Sequence, residues 1–190
     1  MPFVLYNYLL LFYNLLKINI MKSIYAILFM SILFVGCQPK PDNSANEAFE
    51  KNSKTVMANL EGWQNENLDY SMYAKDFAMY ETGFGAPKDS VNLDEMMAND
   101  KQMWATFDFK LLDSPPVLLP GVNPDTKLAD GSVRFYSSWE VTLPATDSTA
   151  AKSGVVKLYE SYDFDAEGKI RYQQVYGDFG GLMNYLFSKE

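Results

Sequence analysis

The feature that most constrains the fold is a pair of alternating segments in the last third of the chain, separated by Asp165-Ala166-Glu167-Gly168. In 154–165 the apolar residues occupy even positions, and 169–178 repeats that alternation. A period of two is typical of strands that bury one face. Aspartate first and glycine fourth suit a type I turn closed by a G1 bulge. The sequence therefore predicts an antiparallel hairpin that pairs Asp165 with Lys169.

This turn also predicts the register of the two strands. Counting back from it pairs Tyr162 with Tyr172 and Glu160 with Gln174, and it puts both apolar faces on the same side of the sheet. We expect that face to be apolar except for one group of polar and aromatic side chains, namely Glu160, Tyr162, Tyr172, Gln174, Tyr176 and Asp178.

The segments before the hairpin have the patterns of helices followed by strands. Apolar residues spaced by seven, four and three predict a helix over 46–66. A capping-box pattern predicts another helix from Asn92. The remaining predictions are a helix over 69–77, strands over 107–112 and 132–143, a long connection over 113–131 and a closing helix over 179–187. Helices first and antiparallel strands afterwards predict one α+β domain over 46–190.

The composition excludes several classes of function. The chain has no histidine and one cysteine, which excludes Ser-His-Asp and Cys-His catalysis and any disulfide within the chain. A net charge of −8 argues against a nucleic-acid partner. Asp125 and Asp130 are too few oxygen ligands to predict a calcium site, so we expect no metal and no cofactor.

The N-terminal region has the pattern of an export signal. From Met21 one lysine precedes the apolar run 24–35, which is too short to span a membrane as a helix. Phe34-Val35-Gly36-Cys37 resembles the lipobox of bacterial lipoproteins. The resemblance implies a signal peptide over 21–36, lipidation of Cys37, and anchoring to a membrane of the cell envelope outside the cytoplasm.

Two flanking segments complete this interpretation of the N-terminal region. Residues 1–20 are interpreted as an upstream mis-start or an extra hydrophobic segment, because a complete signal already begins at Met21. Residues 37–45 are polar and contain prolines, which is typical of a tether between a lipid and a folded domain.

The order of motifs in the body resembles the SnoaL-like branch of the nuclear-transport-factor-2-like and ketosteroid-isomerase-like superfamily. The resemblance covers about 46–187 and is carried by Leu68-Asp69-Tyr70 with Tyr73-Ala74-Lys75-Asp76-Phe77, Phe107-Asp108-Phe109-Lys110, Asp130-Gly131, Trp139-Glu140-Val141-Thr142, Asp165 to Ile170, and Tyr176-Gly177-Asp178. It implies a curved antiparallel sheet wrapped by three N-terminal helices into a cone, with a short C-terminal helix, an apolar pocket and a homodimer as a further expectation.

The candidate site residues follow from the shared face and from the resemblance. Glu160 is the leading catalytic candidate, because burial raises the pKa of a carboxylate towards neutrality. The position of Asp178 matches an acid/base aspartate of family cyclases, although a helix cap explains it equally well. Tyr176 is a candidate oxyanion donor. The candidate ligand-binding residues, each of which a core role also explains, are Trp63, Tyr73, Trp104, Trp139, Tyr162, Tyr172 and Gln174.

Two functions remain open from the sequence. The first is a lipid-anchored, non-catalytic module that binds a small apolar ligand or assembles with a partner. The second is a cyclase- or isomerase-type enzyme that uses Glu160 or Asp178 as acid/base with a tyrosine as oxyanion donor. Glu160 and a tyrosine hydroxyl close together in an enclosed cavity would favour catalysis, whereas a cavity filled by tryptophan and methionine would favour binding through the outer surface.

Overall fold

The predicted alternating segments form the long central strands of one sheet. A computed structural model describes residues 42–188 and the isolated positions 13 and 17. The predictions for residues 1–41, among them the signal peptide and the lipidation of Cys37, lie outside the described residues. Backbone contacts group Asn43–Glu190 into one unit.

Seven strands form a mixed sheet in the described part of the chain. In chain order they are β1 (Tyr73–Tyr80), β2 (Ser90–Val91), β3 (Asp108–Leu111), β4 (Leu118–Val122), β5 (Ala129–Leu143), β6 (Lys152–Phe164) and β7 (Ile170–Tyr176). The spatial order is β2-β1-β7-β6-β5-β3, and β4 also pairs with β5. The β1–β7 pair is parallel and the other pairs are antiparallel.

Three helices of the described chain pack against this sheet: α1 (Ser44–Gln64) against β5, α2 (Leu93–Trp104) against β1, and α3 (Phe179–Phe187) against β6. The predicted capping box of α2 is confirmed, because Asn92 and Glu95 exchange side-chain-to-backbone hydrogen bonds. Because helices pack against a mostly antiparallel sheet, the α+β class predicted from the sequence is confirmed. None of the helices described over 42–188 is long and apolar enough to cross a membrane.

The predicted helix over 69–77 is wrong, and with it the expectation of three N-terminal helices. A 3₁₀ turn over Tyr70–Met72, capped by the side chain of Asp69, leads directly into β1. The strand pairs in parallel with β7, whose backbone N–H and C=O groups would otherwise lie unpaired at the sheet edge. Edge pairing therefore outweighs the local helical pattern.

The long connection predicted over 113–131 contains a strand that the sequence did not reveal. Strand β4 pairs with β5 from Leu118↔Phe135 to Val122↔Ala129, with an irregularity after Pro120. Gly121 is required there, because a Cβ at this position would lie 2.1 Å from the Ser132 Oγ. Pro120 and Gly121, two of the residues that suggested a loop, thus belong to a bulged edge strand.

The predicted turn between β6 and β7 is confirmed. The Gly168 N–H donates to the Asp165 carbonyl at 3.1 Å, the Asp165 N–H donates to the Lys169 carbonyl at 2.9 Å, and Gly168 has a φ of +80°. This is the left-handed conformation that a glycine adopts without a steric penalty.

The register predicted beyond this turn is wrong by one residue. A bulge at Arg171 lets Phe164 pair with Ile170 but shifts the next pairs, so that Tyr162 faces Gln173 and Glu160 faces Val175. The predicted pairs Tyr162–Tyr172 and Glu160–Gln174 do not form. The extra residue reaches β1, where the Arg171 Nε donates to Asp76 Oδ2 at 3.0 Å. The bulge therefore turns Gln173, rather than Gln174, onto the face that carries Glu160.

Candidate functional site

A cavity of about 440 Å³ lies between α1, α2 and the face of the sheet that carries Glu160. Its wall is largely apolar and includes Leu60 from α1, Met96 and Met103 from α2, Trp139 from β5 and Val156 from β6. A cleft of this size with apolar walls and a few converging polar groups is the usual form of a small-molecule site.

Six buried polar side chains line this cavity. One is Asp100 on α2, and we refer to the other five together as the polar cluster: Asn59, Tyr73, Glu160, Tyr162 and Gln173. Their positions follow from regular structure. Glu160 and Tyr162 are two apart on β6 and therefore share its inner face. The remaining three come from α1, β1 and β7.

Glu160 is the only acidic side chain of the polar cluster and is 5% exposed. Ser137 Oγ donates to its Oε1 at 3.1 Å, and the Tyr162 hydroxyl donates to its Oε2 at 3.1 Å. Burial raises the pKa of Glu160 to about 7, and hydrogen bonds from Tyr162, Ser137 and Trp139 oppose that rise. The carboxyl group can therefore take up or release a proton near neutral pH.

Tyr162 links Glu160 to an amide. Its hydroxyl donates to Glu160 and accepts a hydrogen bond from Gln173 Nε2 at 3.1 Å. Burial, followed by the charge of Glu160, raises the pKa of Tyr162 well above its usual value. The order of donation is thus from Gln173 to Tyr162 to Glu160, and the tyrosine stays protonated.

Tyr73 stands apart from that chain of hydrogen bonds. Its hydroxyl accepts from Asn59 Nδ2 at 2.7 Å. Burial is the largest of the effects that raise its pKa above the usual value, and the charges of Asp100 and Glu160 act in the same direction. The hydroxyl therefore keeps its proton and can donate it in a hydrogen bond.

A second buried carboxylate, Asp100, lines the same cavity from α2. Trp63 Nε1 donates to its Oδ1 at 3.2 Å, and the Tyr70 hydroxyl donates to its Oδ2 at 2.9 Å. Burial raises the pKa of Asp100, against the lowering effect of those two hydrogen bonds. These contacts also orient the Trp63 ring, which packs edge-on against Trp139 at 5.5 Å between ring centroids.

The structure brings together five of the residues predicted for the site and separates five others. Those that line the cavity are Trp63, Tyr73, Trp139, Glu160 and Tyr162. Trp104 does not line it but packs behind Trp63 at 6.0 Å. The register shift removes Tyr172, Gln174 and Tyr176 from the cavity face. Asp178 caps α3, where it accepts from the Gly181 N–H at 2.8 Å.

Sequence reasoning missed Asn59, Asp100, Ser137 and Gln173. The spacing of Met96, Asp100 and Met103 on α2 puts one carboxylate on an otherwise apolar helix face, which was a readable signal. Gln173 had no such signal, because it depends on the bulge at Arg171. Over 42–188 the structure shows no group of three or more histidine, cysteine, aspartate or glutamate residues that could hold a metal ion.

Comparisons with known proteins identify the fold. No protein-family model matches the chain, and no curated protein matches it either. Several solved structures match it. One is the pinacolase BvnE from Penicillium brevicompactum, with a TM-score of 0.54 at 12% identity, and the match covers 74% of this chain and 92% of that one. A provisionally named SnoaL-like polyketide cyclase from Shewanella denitrificans has a TM-score of 0.51 at 12% identity, covering 73% and 98%.

A third similar structure is an NTF2-like protein from Anabaena variabilis, with a TM-score of 0.50 at 12% identity, covering 77% of this chain and 98% of that one. Identities this low show the fold alone. The body of the chain therefore has the SnoaL-like, NTF2-like fold that the order of its motifs implied.

The burial of Glu160 predicts a dependence of stability on pH. Between about pH 4.5, the usual pKa, and about pH 7, the folded carboxyl group holds a proton that the unfolded chain has lost. Rising pH therefore destabilises the wild type over this interval, by roughly 3 kcal/mol from Glu160 alone. Asp100, whose pKa is also raised, contributes in the same direction.

Urea unfolding of the wild type and of Glu160→Gln from pH 4 to 8.5 checks this prediction. The variant should gain stability relative to the wild type as the pH rises through this interval, while Glu61→Gln, at an exposed position of α1, should follow the wild type. A constant difference between Glu160→Gln and the wild type at all pH values would contradict the assigned pKa.

Proposed function

We propose that the domain binds one small, largely apolar molecule in the cavity and that a lipid on Cys37 holds it at a membrane of the cell envelope. The observation that supports binding is the largely apolar cavity of about 440 Å³ with the polar cluster in its wall. Apolar walls favour removal of a ligand's hydrocarbon surface from water, while the polar groups select its orientation.

The aromatic residues of the wall also favour binding. The rings of Trp63 and Trp139 pack edge to face, and Phe109 packs against Trp63 at 4.5 Å between ring centroids. These rings present broad apolar surface to the cavity, and their mutual packing fixes their positions before a ligand enters. A preformed wall loses little conformational entropy on binding.

A cyclase- or isomerase-type enzyme is the second candidate, and the 3.1 Å contact between Glu160 and Tyr162 inside the cavity favours it. In this scheme Glu160 removes a proton beside a ligand carbonyl. The Tyr162 proton is already donated to Glu160, so Tyr73 is the better donor to the developing oxyanion. Asp178 and Tyr176 lie outside the cavity and have no part in it. The similar solved structures include a pinacolase and a provisionally named cyclase.

Hydrogen exchange separates the two candidates. With β-tetralone as a ketone probe in D₂O, an enzyme would accelerate deuteration of the carbons next to the carbonyl, as followed by proton NMR. Glu160→Gln should remove the acceleration and Glu61→Gln should retain it. If β-tetralone binds but is deuterated no faster with the wild-type protein than in buffer, the domain binds the ketone without catalysing exchange.

The lipid anchor predicts the behaviour of a Cys37→Ser variant. Without the thiol, no diacylglycerol can be attached, so the variant should leave the detergent phase of a Triton X-114 partition and lose incorporation of labelled palmitate in cells. Mature wild-type protein should stay in the detergent phase. Equal partitioning of the two proteins, with equal label, would rule out lipidation at Cys37.

A matched pair of neighbouring substitutions tests the cavity. Val156 lines it from β6, whereas Val155 is 55% exposed. The larger side chain in Val156→Phe should occupy the cavity and weaken binding of β-methylnaphthalene at least tenfold by isothermal titration calorimetry, and Val155→Phe should bind like the wild type. Equal weakening in both variants, or none in either, would place the ligand elsewhere.

A further inference from the structure

One acceptor in the polar cluster has no partner in the described part of the chain. The Oε1 atom of Gln173 is buried and receives no hydrogen bond. The whole side chain is 8% exposed and lines the cavity. An unfilled buried acceptor is costly to the fold. The Gln173 side chain lies in the cavity wall, so a small turn of its amide on binding would let a ligand fill the acceptor.

The hydrogen-bond chain fixes which atom of this amide is left over. When Glu160 is ionised, it can only accept, so the single hydroxyl proton of Tyr162 is directed to it. The lone pair of Tyr162 is then available to Gln173, which must donate through Nε2. The amide therefore keeps Oε1 as its free group, and a ligand can meet it only with a hydrogen-bond donor.

Tyr73 supplies the complementary unused group. Its hydroxyl accepts from Asn59 and donates to no described residue. The cavity thus offers a ligand one acceptor, on Gln173, and one donor, on Tyr73. A hydroxyl group can both donate and accept, whereas a ketone or an ether can only accept and would leave Oε1 unfilled.

The charges around the cluster exclude an anionic ligand at alkaline pH. Glu81, Asp100 on α2 and Glu160 on β6 all line the cavity. Tyr73 and Tyr162 are neutral. Among residues 42–188, no lysine or arginine lines it. A carboxylate or phosphate would meet these like charges without a compensating cation.

We propose that the cavity selects an apolar ligand that carries a hydroxyl group, which donates its hydrogen to Gln173 Oε1. Gln173 is then the specificity-determining residue of the site. This inference rests on the proposed ligand-binding function and adds the chemical class of the ligand.

Three probes that share the naphthalene ring and differ only in one small substituent test the inference at pH 8, where Glu160 is mainly ionised. They are β-naphthol, β-methoxynaphthalene and β-methylnaphthalene, and their binding is measured by isothermal titration calorimetry. The wild type should bind β-naphthol about tenfold more tightly than β-methoxynaphthalene, because only β-naphthol can fill the acceptor. Gln173→Met should bring that ratio close to one, while Gln174→Met, on the opposite sheet face, should keep it.

The two failures are distinguishable. Binding of β-methylnaphthalene with no wild-type preference for β-naphthol would overturn this inference and leave the binding function intact. No binding of any probe would overturn both. A tenfold ratio that persists in Gln173→Met would also refute the assigned contact, and binding of β-methylnaphthalene to that variant shows that its cavity is intact. If Gln173→Met does not fold, the wild-type ratio decides.

Discussion

The hydrogen bonds that Ser137 and Tyr162 donate to Glu160 hold a carboxylate inside an apolar cavity, and the rest of the site is arranged around that group. A buried carboxyl group without hydrogen bonds would be entirely neutral, whereas one whose burial was fully compensated by hydrogen bonds would keep its ordinary pKa. The hydrogen bonds to Glu160 compensate its burial only in part. The result is a pKa of about 7, so Glu160 can exist in either state under physiological conditions.

The orientation of the neighbouring groups follows from this partial compensation. Ionised Glu160 directs the Tyr162 proton, Tyr162 directs the Gln173 amide, and the amide leaves one acceptor for a ligand. The apolar wall of the cavity would suit a binding protein and an enzyme equally well. The solved structures of similar fold do not decide between these roles, because function depends on the groups in a site and not on the scaffold.

Local patterns in the sequence predicted those parts of the structure that local interactions determine. The Asp165–Gly168 turn, the capping box at Asn92 and the inward position of Glu160 each depend on a few neighbouring residues, and each is present. Strand β1 was missed because its formation depends on pairing with β7, which lies far away in the sequence, and strand β4 was missed because Pro120 and Gly121 have the pattern of a loop. The bulge at Arg171, whose side chain contacts Asp76 on the distant strand β1, exchanges Gln174 for Gln173 in the site.

The pKa of Glu160 itself is the most direct test of this account. Carbon-13 NMR of the glutamate side-chain carboxyl groups, with the Glu160 signal assigned by its loss in Glu160→Gln, reports the protonation of this one residue as the pH is changed. The account predicts a titration midpoint near 7. A midpoint near the usual 4.5 would show that the carboxylate is solvated or fully compensated, and it would contradict the central role given to its burial.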